Sequence, residues 1–228
     1  MNCKNSKNNK CEIETECEED ISSTEEMDKL SMLFELIDRL DNRMVYLFGE
    51  IEQSTILDVI AQIHILEKKS NEDITLFINS DGGYISDCLA LIDVMNSSLC
   101  DIHTVVLGRA ASAACLVASN GTIGKRFAGK NSEFMYHEAT SFLPEVKPSQ
   151  MSYFAKEFAR IEQKCNRLFM QNTGRCLDDI KEVFLSSYLD RWMAAREAKQ
   201  FGIVDKILTS KRKVFLEKKA LRKRGKKK

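Results

Sequence analysis

Short apolar runs alternate with amphipathic helical patterns through the middle of this chain. The runs MVYLF (44–48), ITLFI (74–78) and IHTVVL (102–107) are apolar almost throughout, and stretches with helical spacing of apolar residues separate them. Strands without a polar face are buried on both sides, which is typical of parallel sheets connected by helical crossovers. The alternation therefore predicts an α/β fold built on a parallel sheet.

Small and polar residues follow two of these strands directly. NSDGGY (79–84) comes after the second strand, and GRAAS (108–112) comes after the third. A further short strand, SEFMYH (132–137), ends in a histidine. Ligand chemistry in parallel sheets is usually located beyond the carboxyl ends of the strands. We therefore expect these three segments to meet at one edge of the sheet.

The distribution of charge predicts one globular domain with a tail at each end. The 228 residues, 43% of them hydrophobic, are enough for one sizeable core. Residues 1–26 contain three lysines and eight acidic residues, whereas residues 211–228 contain eleven basic residues and one acidic residue. We expect a disordered acidic tail over 1–26, a folded domain over 27–209 and a basic tail over 210–228.

Several classes of protein do not fit this composition. The formal net charge is zero, the amino terminus lacks an apolar signal region, and no run approaches the roughly 18 apolar residues that a membrane span needs. We expect a soluble cytoplasmic protein with neither membrane nor nucleic acid as partner. A charge run such as the basic tail usually serves solubility, and binding of an acidic surface or of RNA is the alternative.

The eight cysteines contain no C-x-x-C pair. We interpret them as reduced thiols, with the last five mostly as small core residues, and expect no metal site.

Ser112 has two interpretations at its predicted strand-to-helix turn. Serine is a favoured N-cap residue, and GRAAS taken alone favours that structural role. The same position would also expose a nucleophilic hydroxyl next to unpaired N–H groups of a helix start. The glycine pair after the second strand could bring Gly83 to the same edge, so that the N–H groups of Gly83 and Ala113 would bind an oxyanion.

His137 is the histidine best placed to act as a general base, because it ends a strand. His64 falls among the apolar positions of a helix, and His103 lies inside a strand, where packing or surface roles are more common. The spacing of the sequence does not choose the acid that would orient His137. The candidates are Asp178, Asp179, Asp190 and Asp205.

Five motifs together resemble one family. They are LFINSDGG (76–83), GRAAS (108–112), GKRFAGKNSEFMYH (124–137), NTG (172–174) and LDRWMAAREAKQFGIVDKIL (189–208). In this order and at close to this spacing they resemble ClpP, the proteolytic subunit of the Clp protease (peptidase family S14). The resemblance spans residues 44–208, and on these motifs the chain is identified as a divergent member of that family.

The resemblance implies a fold and a set of functional residues. The fold would be the ClpP/crotonase-like spiral of β-β-α units, with a projecting helical handle that starts near Pro148. Ser112 would be the nucleophile, His137 the general base and Asp190 the orienting acid, with Gly83 and Ala113 forming the oxyanion hole. This subunit would require no metal and no cofactor. ATP would be used only by a partner unfoldase.

The resemblance also implies an activity and partners. The chain would be an ATP-dependent Clp-type serine endopeptidase that cleaves unfolded polypeptides inside an oligomeric chamber. It would form homo-oligomers, as heptameric rings or a double ring, and an AAA+ Clp unfoldase would deliver the substrates. Two alternatives stay open: a weakly active or non-catalytic subunit of a mixed ring, and a crotonase-like acyl-CoA enzyme.

Overall fold

The computed structural model describes residues 14–140, 147–185 and 189–209, and the chain divides after Asn42 into two units. In the first unit, helix α1 (Glu14–Asp41) carries exposed apolar side chains at helical spacing. The helix starts inside the 1–26 stretch for which we expected disorder. That stretch is rich in glutamate and lacks glycine and proline, a composition that permits helix. Residues 1–13 and the basic tail from position 210 lie outside the described residues, so the predicted domain boundaries stay predictions.

The second unit alternates strands and helices as the apolar runs predicted. Its strands are β1 (Met44–Ile51), β2 (Ile74–Gly83), β3 (Ile102–Ala111), β4 (Arg126–Ala128), β5 (Glu133–Met135), β6 (Trp192–Ala194) and β7 (Lys206–Ile207). Its helices are α2 (Gln53–Lys69), α3 (Ile85–Ser97), α4 (Ala113–Ser119), α5 (Pro148–Thr173), α6 (Leu177–Ile180) and α7 (Ala195–Phe201), and a π-helical turn spans Lys181–Leu185.

The strands form one sheet in which β1, β2, β3, β4 and β7 are neighbours in that order. All of these pairings are parallel, and β5 adds a further parallel pairing to the carboxyl end of β3. The exception is β6, which pairs with β5 in the antiparallel direction. The α/β fold with a parallel-rich sheet, expected from the strand pattern, is confirmed.

The core forms where helices cover the apolar strands. Helix α2 packs on β1, α4 packs on β2 and β3, and α3 contacts both α2 and α4. Helix α2 contributes the buried side chains Ile56, Val59, Ile63 and Leu66, and α3 contributes Cys88, Leu91, Ile92 and Met95. These residues recur mostly three or four positions apart, which is the spacing that places one face of a helix in a core.

The long helix α5 begins at Pro148 and ends before Gly174, as the sequence predicted. Proline suits a first helical position, and Gly174 adopts the left-handed conformation that ends many helices, with φ of 70°. The first half of α5 is largely exposed, while Cys165, Asn166 and Phe169 in the second half are buried. The helix therefore joins the core through its carboxyl-terminal half.

Two strands, β4 and β6, were not predicted. Each has only three residues, too few for a period of two to be recognised. Their hydrogen-bonding partners are far away in sequence, so only the folded sheet defines them.

A nearly buried ion pair ties the last strand to the sheet. Arg126 contacts Asp205 through Nε and Nη2, and its Nη1 donates to the carbonyl oxygens of Ser119 and Asn172. The side chains are 6% and 19% exposed. Burial disfavours the Asp205 carboxylate, but hydrogen bonds from Arg126 and from the Gly124 N–H hold the pKa of Asp205 below its ordinary value. The pair thus links β4, α4, α5 and the β7 region.

Within the part of the chain that the structure describes, no helix is both long enough and apolar enough to span a membrane.

We expect Asp205→Asn to lower the free energy of unfolding by about 2–4 kcal/mol at neutral pH, because Arg126 would keep its burial without a counter-charge. The folded-state pKa of Asp205 is depressed, so the carboxylate stabilises the fold above its unfolded pKa and loses that effect as the pH falls. The difference between wild type and variant should therefore be constant above about pH 5 and shrink below about pH 4. Denaturant unfolding at several pH values measures it.

Asp101→Asn is the matched control, because this carboxylate also binds a cation, Lys125, but is half exposed. Its effect on stability should be much smaller. An equal loss in the two variants, or a pH-independent loss for Asp205→Asn, would contradict the role given to the Arg126–Asp205 pair.

Candidate active site

Strand β5 brings three distant segments of the chain to one place. In the register of the sheet, Met135 is opposite Ala111 of β3 on one side and opposite Trp192 of β6 on the other. Ser112 directly follows Ala111, and its backbone N–H donates to the carbonyl oxygen of Met135 at 2.8 Å. His137 lies two residues beyond Met135. Because β6 runs antiparallel, the residues just before it, at 189–191, reach the same edge.

Ser112 occupies a strained turn between β3 and α4. Its backbone has φ of 53° and ψ of −124°, a left-handed conformation that is rare for a residue with a side chain and costs about 1–3 kcal/mol. Ser112 is at the N-cap position of α4, but its side chain caps no helical N–H group. The N-cap interpretation therefore holds for the position of Ser112 and not for its hydroxyl.

The Ser112 hydroxyl contacts His137 instead. Ser112 Oγ lies 2.9 Å from His137 Nε2, and His137 Nδ1 lies 3.2 Å from Asp190 Oδ1. The neutral imidazole with its proton on Nδ1 satisfies both contacts, since it donates to Asp190 and accepts from the serine hydroxyl. In the single chain the side chain of His137 is 23% exposed and that of Asp190 is 53% exposed.

The structure distinguishes among the four acids that the sequence left open. Asp190 contacts His137, whereas Asp205 is engaged with Arg126. Asp178 and Asp179 belong to the first turn of α6. Among the described residues, the ion-pair partner of His137 is thus Asp190.

The other two histidines lie elsewhere. His103 Nε2 is 2.7 Å from Asp73, which immediately precedes β2, so this contact is at the amino-terminal end of the sheet strands. His64 is exposed on α2. Neither belongs to the cluster around Ser112.

The glycine pair packs directly against the serine turn. A Cβ atom added to Gly82 would lie 2.8 Å from the Ala111 carbonyl oxygen, 2.8 Å from Ser112 Cβ and 3.1 Å from the Ala113 nitrogen. A Cβ at Gly83 would collide with the backbone of Ile51. Both glycines have positive φ, 101° and 149°. Bare backbone is therefore required where the carboxyl end of β2, NSDGG, approaches the serine.

The sequence predicted a role for Gly83 and none for Gly82. The signal was present in the GG doublet, but only packing shows which member touches the serine turn. Nor did the sequence predict the contact of Cys88, whose thiol donates to the carbonyl oxygen of Ala113 at 3.4 Å. This contact holds the first turn of α4 beneath Ser112, and no motif in the sequence indicates it.

A small apolar pocket opens beside Ser112 and His137. Its walls come from α3, α4, α5 and the segment that follows β5, and include Ile85, Leu116 and Tyr136. The Tyr136 ring stacks on Phe169 with centroids 4.2 Å apart, and its hydroxyl donates to Asn166 Oδ1 at 2.8 Å. Stacking and hydrogen bonding thus fix the residue that precedes His137.

The cysteines of this region are packing residues with suppressed acidity. Burial raises the pKa of the Cys88 and Cys115 thiols far above the ordinary value. Cys88, Cys100, Cys115 and Cys165 are buried, but Cys176 is exposed, so the prediction that the last five cysteines are mostly core residues is confirmed for four of them. Within the described ranges, no group of three or more His, Cys, Asp or Glu residues could hold a metal ion.

A family model described as Clp protease matches residues 28–211 of the chain. The chain belongs to the Clp protease family. It is similar to the ATP-dependent Clp protease proteolytic subunit of Streptococcus thermophilus, with 33% identity over 173 residues, covering 75% of this chain and 87% of the relative. The subunit of the same name from Streptococcus pyogenes is 33% identical over 171 residues, covering 74% and 86%. The resemblance to ClpP that the five motifs indicated is confirmed, and Clp family membership makes this chain a protease at the family level.

The cysteines of this Clp family chain should differ in their rate of alkylation according to how deeply they are buried. We expect Cys88 and Cys115 to resist iodoacetamide in the native protein at neutral pH, because their thiols stay protonated and enclosed, whereas Cys176 reacts readily. Mass spectrometry of tryptic peptides after a short alkylation measures the difference. Rapid labelling of Cys88 without loss of native structure would contradict the packing described for the Ser112 turn.

Proposed function

We propose that this chain is a Clp-type serine endopeptidase in which Ser112, His137 and Asp190 form the catalytic triad. The observation that carries the proposal is the 2.9 Å contact between Ser112 Oγ and His137 Nε2, with Asp190 on the other ring nitrogen. This is the arrangement of nucleophile, base and orienting acid that defines such enzymes on unrelated folds. The same contact favours a peptidase over a crotonase-like acyl-CoA enzyme.

The proposed chemistry proceeds through an acyl-enzyme. Ser112 Oγ attacks the carbonyl carbon of the scissile peptide bond while His137 Nε2 takes the hydroxyl proton. Asp190 stabilises the imidazolium through the Nδ1–H group. The tetrahedral intermediate then collapses, the C–N bond breaks, and His137 gives its proton to the leaving amine. A water molecule, deprotonated by His137, attacks the ester in the second half and releases Ser112.

The oxyanion of each tetrahedral intermediate would be bound by the N–H groups of Gly83 and Ala113. Ala113 is the first residue of α4, so its N–H has no acceptor within the helix. Gly82 packs on the Ser112–Ala113 peptide, and Gly83 follows it directly, which supports the assignment of Gly83 as second donor. Removing one such donor in other serine hydrolases costs roughly 10²- to 10³-fold in kcat.

The wider assembly is part of the same proposal. The relatives are proteolytic subunits of an ATP-dependent protease, which supports an oligomeric chamber for unfolded polypeptides, built from heptameric rings, with a Clp unfoldase as partner. This subunit would need no metal or cofactor, and only the unfoldase would use ATP. We place the assembly in the cytoplasm.

A second candidate is a subunit that contributes little catalysis on its own within a mixed ring. The 53% exposure of Asp190 in the single chain favours it, because a solvated carboxylate holds an imidazole less firmly than a buried one. Contacts with neighbouring subunits would then be needed to complete the triad.

A fluorophosphonate probe tests the nucleophile. We expect it to label wild-type protein at Ser112 and the Ser97→Ala control equally, and not to label Ser112→Ala. Ser97 is an exposed helix residue whose hydroxyl binds the Val94 carbonyl. Hydrolysis of a fluorogenic peptide should disappear with Ser112→Ala and fall by roughly 10²- to 10⁴-fold with Asp190→Asn.

Wild-type protein that neither labels nor cleaves would exclude the peptidase for the isolated chain. Activity recovered only with a second ClpP-like subunit, and unchanged there by Ser112→Ala, would favour the mixed-ring candidate.

Gly82→Ala should lower peptide hydrolysis by about 100-fold, because the new methyl group displaces the Ser112–Ala113 backbone. Gly124→Ala is the matched control: Gly124 also has positive φ, 85°, but a Cβ there meets nothing within 4 Å. The control variant should carry a similar strain in its backbone but keep its activity. Equal activity of the two variants, at equal content of native secondary structure by circular dichroism, would contradict the packing argument.

A further inference from the structure

The pocket beside Ser112 has apolar walls and one acidic residue. It is small, with about 30 Å³ of space that water-sized spheres can occupy, and it opens to solvent. Helices α3 and α4 contribute Ile85, Cys88 and Leu116, and the ring of Tyr136 closes one side. Helix α5 contributes Cys165 and Glu162. Because Ser112 and Ala113 also line it, the pocket is placed to take the side chain of the residue whose carbonyl is attacked.

The neutral polar groups at the base of the pocket are already satisfied. The Tyr136 hydroxyl donates to Asn166 Oδ1, and both residues are buried. The Cys88 thiol donates to the Ala113 carbonyl oxygen. Apart from His137 of the triad, the charged residue that lines the pocket is Glu162.

Glu162 is half-buried, and the structure gives it no cation among the described residues. Its neighbours three and four positions away on α5 are Phe158, Ala159, Cys165 and Asn166, so no helical ion pair with lysine or arginine is available to it. Glu157, one turn earlier, contrasts with it because it pairs with Arg160.

The charge of Glu162 acts on the pocket. Burial raises the pKa of the Cys165 thiol; the exposed Lys164 opposes that shift, and the Glu162 carboxylate adds to it. Glu162 also contributes to the raised pKa of Tyr136, after burial and the neighbouring thiols. These contributions are small, and the exposed Lys164 outweighs Glu162 at Cys165. The position of Glu162 in the lining of an apolar pocket is what disfavours a further negative charge there and favours a cation.

We infer that this pocket selects substrates with lysine or arginine on the acyl side of the scissile bond. The methylene groups of such a side chain would lie along Ile85, Leu116 and Tyr136, and its cationic end would reach Glu162. Lysine and arginine combine an apolar stem with a charged head, which matches apolar walls that carry one carboxylate. The inference rests on the proposed peptidase function and names the peptide class that it would cleave best.

Peptides that differ in a single charge test this selection on the full chain. Two fluorogenic peptides carry lysine or norleucine before the scissile bond; norleucine keeps the straight apolar stem and lacks the ammonium group. We expect wild-type kcat/KM to be roughly tenfold higher for lysine, as for a partly buried ion pair. Glu162→Gln should bring that ratio close to one, and added salt should reduce it in the wild type.

Glu157→Gln is the matched control, since it removes a carboxylate from the same helix without touching the pocket. It should leave the lysine-to-norleucine ratio unchanged. A second pair of peptides, with glutamate or glutamine at the same place, should show the opposite sign: Glu162→Gln should improve cleavage after glutamate.

The inference and the proposed function fail in distinguishable ways. If Ser112 labels with the fluorophosphonate and peptides are cleaved, but the lysine-to-norleucine ratio is at or below one, or is the same in Glu162→Gln, the selection for basic residues is wrong while the peptidase stands. If Ser112 is not labelled and no peptide is cleaved, both the inference and the proposed peptidase function are wrong.

Discussion

The pairing of β5 with two different strands is the constraint on which the site depends. Met135 lies opposite Ala111 in a parallel pair and opposite Trp192 in an antiparallel pair. The first pairing fixes the register of β3, which Ser112 follows directly. The second fixes the register of β6, which Asp190 shortly precedes. A shift of one residue in either pairing would turn a side chain to the opposite face of the sheet, so the contact between Ser112 and His137 exists only in this register.

The packing behind the site keeps this short strand in place. Phe184 meets both rings of the stacked pair Tyr136–Phe169 edge to face, and Phe201 stacks on Phe169. These contacts join α5, the π-helical turn and α7 behind His137. Aromatic contacts of this kind contribute about 0.5–1.5 kcal/mol each beyond burial. The Arg126–Asp205 pair links β4 and the β7 region to α4 and α5. Such surroundings allow Ser112 to keep a backbone conformation that costs energy.

The largely apolar lining of the pocket beside Ser112 gives the Glu162 carboxylate its influence. Small residues dominate the first turn of α4, and apolar side chains line most of the neighbouring pocket. The Glu162 carboxylate therefore acts in a half-buried, largely apolar setting, whereas Asp190, which contacts His137, is 53% exposed and screened by solvent. The same pocket links the proposed chemistry at Ser112 to the proposed choice of substrate side chain.

The sequence by itself determined the α/β fold and the positions of Ser112 and His137 next to the carboxyl ends of strands, because periodicity and turn residues are local properties. It placed the ends of β2 and β3 too early, since NSDGG and GRAA belong to the strands. The family resemblance added Asp190. Only the tertiary structure decided that Asp190 rather than Asp178, Asp179 or Asp205 contacts His137, since a three-residue strand with a distant partner leaves no periodic signal. The roles of Gly82 and Glu162 were likewise decided by packing, because each depends on what the folded chain places opposite it.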